Sequence, residues 1–298
     1  MRKLVCRTLL FVPSHVSKMV AKIPSSEADC FCLDLEDAVP LQSKQIARES
    51  ISDFLKSGSC PKDRVFVRVN PIESGMTLLD VSETACEQLR GFIYPMCRNA
   101  EDIISFAAQL KLMEMQLGIE EGHFEIIPLI ETPEAVENAF AIASCHHRIS
   151  ALLFGCEDYL AEIGAKHMQD DISIHYARSK IIGVSRSCGI KAIDTPYVKV
   201  KDNDGLEKFS IRASSMGMDG MLVLSPTQVS IANRTYSPSN DEVRTASDVV
   251  EAEKEAVRMD RGVIVHNGNF ISPPTVKAAK RLLSKNNDII EWSKNPGN

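Results

Sequence analysis

The apolar positions of this chain fall into short runs spaced at near-regular intervals, with helical patterns between them. Eight runs stand out, over residues 7–14, 29–39, 64–70, 91–97, 124–132, 151–158, 191–198 and 219–225. Each has the length and the near-continuous apolar character of a strand buried on both faces, as in a parallel sheet. The intervening segments 42–56, 99–117, 133–144, 173–188 and 204–216 space their apolar residues at helical intervals. Thr132 before Pro133 reads as a helix N-cap with proline at the first position, and Gly217 as a C-cap. Eight strand–helix units predict an α/β fold, a closed (β/α)₈ TIM barrel, rather than an open sheet.

The repeat runs out near residue 235, close to the roughly 250 residues that such a barrel needs. Residues 1–238 are therefore expected to form the barrel domain, and 239–298 a C-terminal helix and lid extension. Within the extension, 239–261 reads as a charged helix and 262–271 as an extended piece. A basic helix then runs from Pro273 to Leu283, and a polar tail beyond Ser284 is expected to fray. No G-x-G-x-x-G opens a helix after a strand, which argues against a dinucleotide-binding sheet.

The polar residues at the strand ends change the picture. The runs 124–132 and 151–158 each finish in acid, at Glu131 and at Glu157–Asp158. An unpaired charge is costly in a core, whereas oxygen ligands from two strand ends suit a hard cation, Mg²⁺ or Mn²⁺. The second run ends in Glu36 and Asp37, the third in Arg68 and Asn70, and the seventh contains Asp194. A lone carboxylate is more often a helix cap or a solvated loop charge, but several strand ends with the same character point to the catalytic face of a barrel. Glu131 and Asp158 are the candidate metal and substrate ligands. Arg68 is the candidate fork for a substrate carboxylate, with Glu36 and Asp37 as candidate catalytic acids. This set suits aldol or Claisen chemistry, in which an enolate needs electrostatic stabilisation. Schiff-base chemistry fits less well, since only Lys199 lies near a strand end. Arg7, Lys18 and Lys22 are candidate contacts for a cofactor phosphate, although a solvated helix face is the simpler account of the two lysines.

Composition adds limits. The chain has 298 residues and a formal charge of −6, with no basic footprint for nucleic acid. No apolar run is long enough to span a membrane, and the first apolar run is too short and poorly flanked for a signal peptide. Nine cysteines without a C-x-x-C pair read as free thiols in a reducing cytoplasm.

Seven motifs, in order, carry a family resemblance: Leu10-Phe-Val-Pro13, Leu33-Asp-Leu-Glu-Asp-Ala-Val39, Arg68-Val-Asn70, Pro128-Leu-Ile-Glu-Thr132, Phe154-Gly-Cys-Glu-Asp158, Tyr176-Ala-Arg-Ser-Lys180 and Ala192-Ile-Asp194. Together they resemble the citrate lyase beta subunit-like proteins of the HpcH/HpaI aldolase superfamily, which include malyl-CoA and citramalyl-CoA lyases. The resemblance implies a TIM barrel, usually trimeric, with Mg²⁺ on Glu131 and Asp158 and Arg68 on the substrate. It implies cleavage of a 3-hydroxyacyl coenzyme A thioester to acetyl-CoA and a 2-keto acid. The chain departs from the pattern at four places. Ser272 stands in the lid where the lyases commonly have Asp, and Met96, Ser225 and Ser14 replace the usual Lys, His and Gly after strands four, eight and one. The alternative reading is therefore a family member with altered chemistry: an aldolase or hydrolase that does not use coenzyme A, or a degenerate metal- and acid-binding subunit.

Overall fold

The computed structural model describes residues 3–168, 170–259, 264–266 and 269–294, with backbone alone at 264–266 and 269. It divides into two compact units, one built on the chain up to Tyr236 and one starting at Ser237.

The first unit is a closed barrel of eight parallel strands in chain order. The strands are β1 (Thr8–Pro13), β2 (Cys30–Asp34), β3 (Val65–Arg68), β4 (Gly91–Tyr94), β5 (Glu125–Ile130), β6 (Ala151–Phe154), β7 (Lys191–Asp194) and β8 (Gly220–Val223). Closure is made by β1 against β8, with Thr8 opposite Met221 and Leu10 opposite Val223. The helices between them are α1 (Ser17–Val20), α2 (Lys44–Lys56), α3 (Thr77–Thr84), α4 (Ala100–Leu117), α5 (Pro133–Glu137), α6 (Ala139–Ser144), α7 (Cys156–Glu162), α8 (Ile172–Cys188), α9 (Asn203–Met216) and α10 (Pro226–Thr235). The expected (β/α)₈ fold is thus the observed one.

Period-2 alternation explains why strands this short suffice. Leu10, Val12, Phe31, Leu33, Val65, Val67 and Phe92 join the apolar layer beneath the helices. Their neighbours Leu9, Cys32, Phe66 and Ile93 are just as buried and belong to the opposite face, the barrel interior. Helix ends follow the capping chemistry in the sequence. The Thr132 hydroxyl accepts from the Ala135 N–H at 3.0 Å. Asn99 and Asp102 form a capping box at the start of α4. The 133–144 segment is broken at Asn138 into α5 and α6, and α3 and α10 are helices that the periodicity did not show.

Charges at the N-terminal ends of the strands are matched. Arg90 forks onto Glu125 at 2.9 and 2.7 Å, and Arg148 onto the fully buried Glu114 at 2.6 Å through each Nη. Arg186 meets Asp219 at 2.7 Å. This end of a barrel carries stability, and its buried ions are paired as burial requires.

The second unit contains α11 (Asn240–Arg258), β9 (Ile264–His266), β10 (Asn269–Ile271) and α12 (Pro273–Lys294), with β9 and β10 antiparallel. Ser239 and Glu242 form the capping box of α11. The expectation of a fraying tail after Ser284 is corrected: α12 continues to Lys294, because Ile289 and Trp292 extend its apolar face and are buried. Residues 260–263, 267 and 268, part of the expected helix end and lid segment, lie outside the described residues. No described helix is long and apolar enough to cross a membrane, and all nine cysteines are free.

Candidate active site

The C-terminal ends of β2, β3, β5 and β6 bring five carboxylates together, and register decides which residue does what. Asp34 and Arg68 are Cα partners at the ends of β2 and β3. Arg68 Nε and Nη2 donate to the two Asp34 oxygens at 2.6 and 2.8 Å, and the guanidinium lies over the Phe11 ring, 4.8 Å from its centroid. Arg68 Nη1 reaches Glu36 Oε2 at 2.6 Å and Asp37 Oδ2 at 3.6 Å. The Glu36 contact is a close ion pair without hydrogen-bond alignment, since that oxygen is buried and has no hydrogen-bond partner. The fork read from the sequence as a substrate clamp is therefore closed on Asp34. What remains for a ligand is the outer edge of a guanidinium that has five donors in all.

Asp34 also shapes the loop that follows it. Its oxygens accept from the Glu36 and Ala38 amides at 3.0 and 3.1 Å. Lys44, buried at the start of α2, donates from Nζ to the Leu35 and Glu36 carbonyls at 2.6 and 2.8 Å and to Asn70 Oδ1 at 2.7 Å. Asn70 donates its amide and Nδ2 to Asp80, at 2.8 and 2.7 Å, and Asp80 accepts from Arg48 at 3.0 Å. The loop carrying Glu36 is thus fixed from behind. Neither Asp34 nor Lys44 was singled out from the sequence.

Glu131 follows β5, buried, and Gly155 lies beside it after β6. The Gly155 N–H donates to Ile130 O at 3.0 Å. A Cβ on Gly155 would stand 2.7 Å from Glu131 Cβ and 3.0 Å from its Oε2. From the other side, the Met96 N–H donates to Glu131 Oε1 at 2.6 Å. Met96 holds a left-handed backbone, φ 50°, a conformation that costs a non-glycine residue energy and here aims its amide. Asp158 was expected at the end of a strand. It lies instead in the first turn of α7, because β6 stops at Phe154 and the helix begins at Cys156. Its carboxyl group is close enough to that of Glu131 for each to act on the other's charge.

Electrostatics reflect this crowding. Burial pushes Glu131 up to about 8, with Glu36 and Asp158 adding to the effect. Burial likewise pushes Glu36 up to about 7, against the opposing pull of Arg68. Asp158 is raised by desolvation and then by Asp37. Beside Asp34, Glu36, Asp37, Glu131 and Asp158 stand the cations Arg68 and Lys44. The opposite end of the barrel has matched ions; this end gathers more carboxylates than cations, an arrangement that suits a hard dication.

The other candidates are placed elsewhere. Arg7 lies before β1, at the N-terminal end of the barrel, clamped by Asp29 at 2.8 and 2.7 Å. It is not brought together with Lys18 and Lys22, which are exposed just after the C-terminal end of β1. Asp194 is fully buried in a fork from Arg178, at 3.0 and 2.8 Å, and is structural. Ser272 Oγ is 2.9 Å from Thr275 Oγ1 and accepts from the Thr275 N–H at 3.4 Å, so it caps α12.

Comparison with known proteins adds a family pattern. The model of the HpcH/HpaI aldolase/citrate lyase family matches residues 7–226. A citrate lyase subunit beta of Haemophilus influenzae is 29% identical over 279 residues, covering 94% of this chain and 96% of that one. The mitochondrial citramalyl-CoA lyase of Rattus norvegicus is 30% identical over 295 residues, covering 96% and 87%. Among solved structures, a citrate lyase from Burkholderia xenovorans superposes with a TM-score of 0.85 at 18% identity, covering 97% of this chain and 94% of that one. The protein CitE of Mycobacterium tuberculosis, crystallised with magnesium, acetoacetate and coenzyme A, gives 0.74 at 23% identity, covering 95% and 98%. At these identities the structures speak for the fold.

Proposed function

The chain belongs to the HpcH/HpaI aldolase/citrate lyase family, and from that premise we propose that it is a Mg²⁺-dependent carbon–carbon lyase acting on a 3-hydroxyacyl thioester. Citramalyl-CoA, malyl-CoA or a citryl thioester would be cleaved to acetyl-CoA, or its carrier-bound counterpart, and a 2-keto acid. The observation that carries the reading is the convergence of Glu131, buried and raised to about 8, with Glu36 and Asp158, whose charges raise it further.

The donor set fits the ion. Glu131 and Asp158 offer hard oxygen ligands from separate elements, and an added dication would return the buried Glu131 to its carboxylate form. Mg²⁺, or Mn²⁺ in its place, would supply Lewis-acid polarisation of the keto acid's oxygens and stabilise developing negative charge.

The chain's own residues do the rest. Arg68, fixed by Asp34 and stacked on Phe11, presents the outer edge of its guanidinium to a substrate carboxylate. Glu36, near 7, is matched to neutral pH and can take the substrate hydroxyl proton at a carboxylate oxygen. Loss of that proton forms the carbonyl of the keto acid as the adjacent C–C bond breaks. The bonding pair passes to the acetyl thioester as its enolate, which a proton then quenches. Asp37, exposed at the rim, is placed to exchange protons between Glu36 and solvent. Lys18 and Lys22, exposed after β1, are the residues we assign to the phosphates of coenzyme A, since Arg7 lies at the other end of the barrel. The protein is read as a homo-oligomer, a trimer as in the resembling lyases, and as cytoplasmic; light scattering checks the first.

The test is steady-state cleavage of citramalyl-CoA and malyl-CoA with and without EDTA. Activity should vanish with chelator, return with Mg²⁺, and be lost in Glu131→Ala and Asp158→Ala. Turnover indifferent to EDTA overturns the metal role. The second reading, altered chemistry without coenzyme A, is favoured by Ser272, which is no acid and serves as a helix cap. Titration calorimetry with acetyl-CoA separates the two, since absence of binding supports the second.

A further inference from the structure

Beside the oxygen-rich mouth lies a second group of donors that the lyase reading does not use. Cys156 and Glu157 open α7, and His167 returns to meet them. The return has a local cause. Gly164 ends α7 in the left-handed conformation, φ 68°, and the next amide, Ala165 N–H, donates back to Leu160 O at 2.9 Å. This turn brings His167 Nε2 to 2.9 Å from Glu157 Oε1, and the Cys156 thiol lies 3.7 Å from the same oxygen. One donor atom from each of the three residues lies within 4.8 Å of the other two.

We propose that Cys156, Glu157 and His167 form a binding site for a divalent cation of the zinc class, separate from the Mg²⁺ site. Sulfur, imidazole nitrogen and one carboxylate oxygen are the donors that zinc selects, and Mg²⁺ does not take such a set. Three protein ligands leave the fourth position open, as in sites where zinc contacts water or a small ligand rather than only holding a fold together. Binding displaces the thiol proton to solvent as the metal–sulfur bond forms. Taken without a metal, the His167–Glu157 pair is half-exposed on both sides and adds little to stability. Cys156 packs in the core beneath α7, but packing calls for neither the carboxylate nor the imidazole that stand beside its thiol.

The site can be tested without assaying the lyase. The intact protein, with excess Mg²⁺ present to occupy the oxygen site, is titrated with Cd²⁺ and with Co²⁺. Thiolate-to-metal charge-transfer absorption is recorded, and Zn²⁺ binding is measured by calorimetry. The expected result is one equivalent bound per chain with a thiolate band. His167→Ala, a change at an exposed loop position, should weaken Zn²⁺ binding by at least roughly tenfold, the effect that loss of even an outer-shell partner produces. Cys156→Ser should remove the band, and Glu131→Ala should leave it in place, which separates this site from the Mg²⁺ reading. A wild-type protein without the band, a band that persists in Cys156→Ser, or Zn²⁺ affinity unchanged in His167→Ala overturns the proposal. The His167 variant decides the matter even where Cys156→Ser does not fold.

Discussion

Gly155 and Glu131 are neighbours that leave no room for one more carbon: a Cβ at 155 would lie 2.7 Å from Glu131 Cβ. The contact arises from register, since Ile130 is paired with Phe154 and each strand's next residue continues the pairing. Gly155 has φ −110°, so alanine fits the backbone there, and the only conflict is with the side chains beside it. Gly155→Ala should therefore leave the barrel folded and push Glu131 off its position. Mg²⁺ affinity by titration calorimetry should fall roughly 10–100-fold, the range seen when the support of a metal ligand is disturbed. Unchanged affinity would mean that Glu131 is not a ligand.

Arg68 tests the second half of the site. Lysine keeps the charge but cannot fork onto Asp34 or stack on Phe11. Arg68→Lys should cost about 1–3 kcal/mol of stability from incompletely satisfied buried Asp34. It should lower kcat/KM by roughly 10²-fold through misplacement of the substrate. Urea unfolding and steady-state kinetics measure the two effects; a kinetic loss no larger than the stability change explains would remove Arg68 from substrate binding.

These two residues show what a reader of the chain can and cannot see. The strands and the barrel were legible because every strand is an apolar run and every break is polar. Glu131 was legible because a charge ends one of those runs. Leu33-Asp-Leu-Glu-Asp37 holds three acids that look alike in one dimension; only the pairing of Asp34 with Arg68 across two strands sorts the clamp from Glu36, buried beside it, and Asp37, exposed at the rim. Asp158 was found but misplaced onto a strand, since Gly155-Cys-Glu-Asp158 carries no cap signal before its helix. Nothing in the sequence marks Lys44, because its partners are carbonyls nine and eight residues away in a loop and the side chain of Asn70.

Lys44 supplies the next prediction. Methionine matches its length and removes the ammonium group, leaving the Leu35 and Glu36 carbonyls buried without their donor. Lys44→Met should destabilise the protein by about 1–3 kcal/mol for the orphaned acceptors. It should also lower kcat while leaving Mg²⁺ affinity unchanged, since Glu131 and Asp158 are held by other elements. Equal loss of both would show that the loop serves the metal rather than the proton step.

The Glu114–Arg148 pair sets an acid limit on the fold. Arg148 and the Phe124 and Gly122 amides hold Glu114 below the usual glutamate range, against the opposing cost of burial. With the folded value lowered, the unfolded chain binds the proton first as pH falls. The stability from this group is thus present above about 4.3 and is lost as pH drops through the folded value. Urea unfolding at stepped pH should show that decline in the wild type. Glu114→Gln should start from a lower plateau and decline less over the same interval; an identical slope would assign the acid sensitivity to other groups.

Ser272 decides between the two readings of the reaction. Its hydroxyl caps α12, and aspartate caps a helix about as well as serine. Ser272→Asp should therefore leave thermal stability nearly unchanged while placing a carboxyl group where the resembling lyases carry one. If the chain is a lyase that lacks this proton carrier, kcat for citramalyl-CoA cleavage should rise, by up to roughly 10²-fold for a positioned acid–base group. The gain should appear in kcat and not in KM, because the change adds no contact in the ground state. A variant that keeps its melting temperature and gains nothing, over a wild type with measurable cleavage, places the proton step on Glu36 and Asp37 instead. A wild type and variant both inactive on every thioester, with acetyl-CoA unbound, leave the reading without coenzyme A as the one that stands.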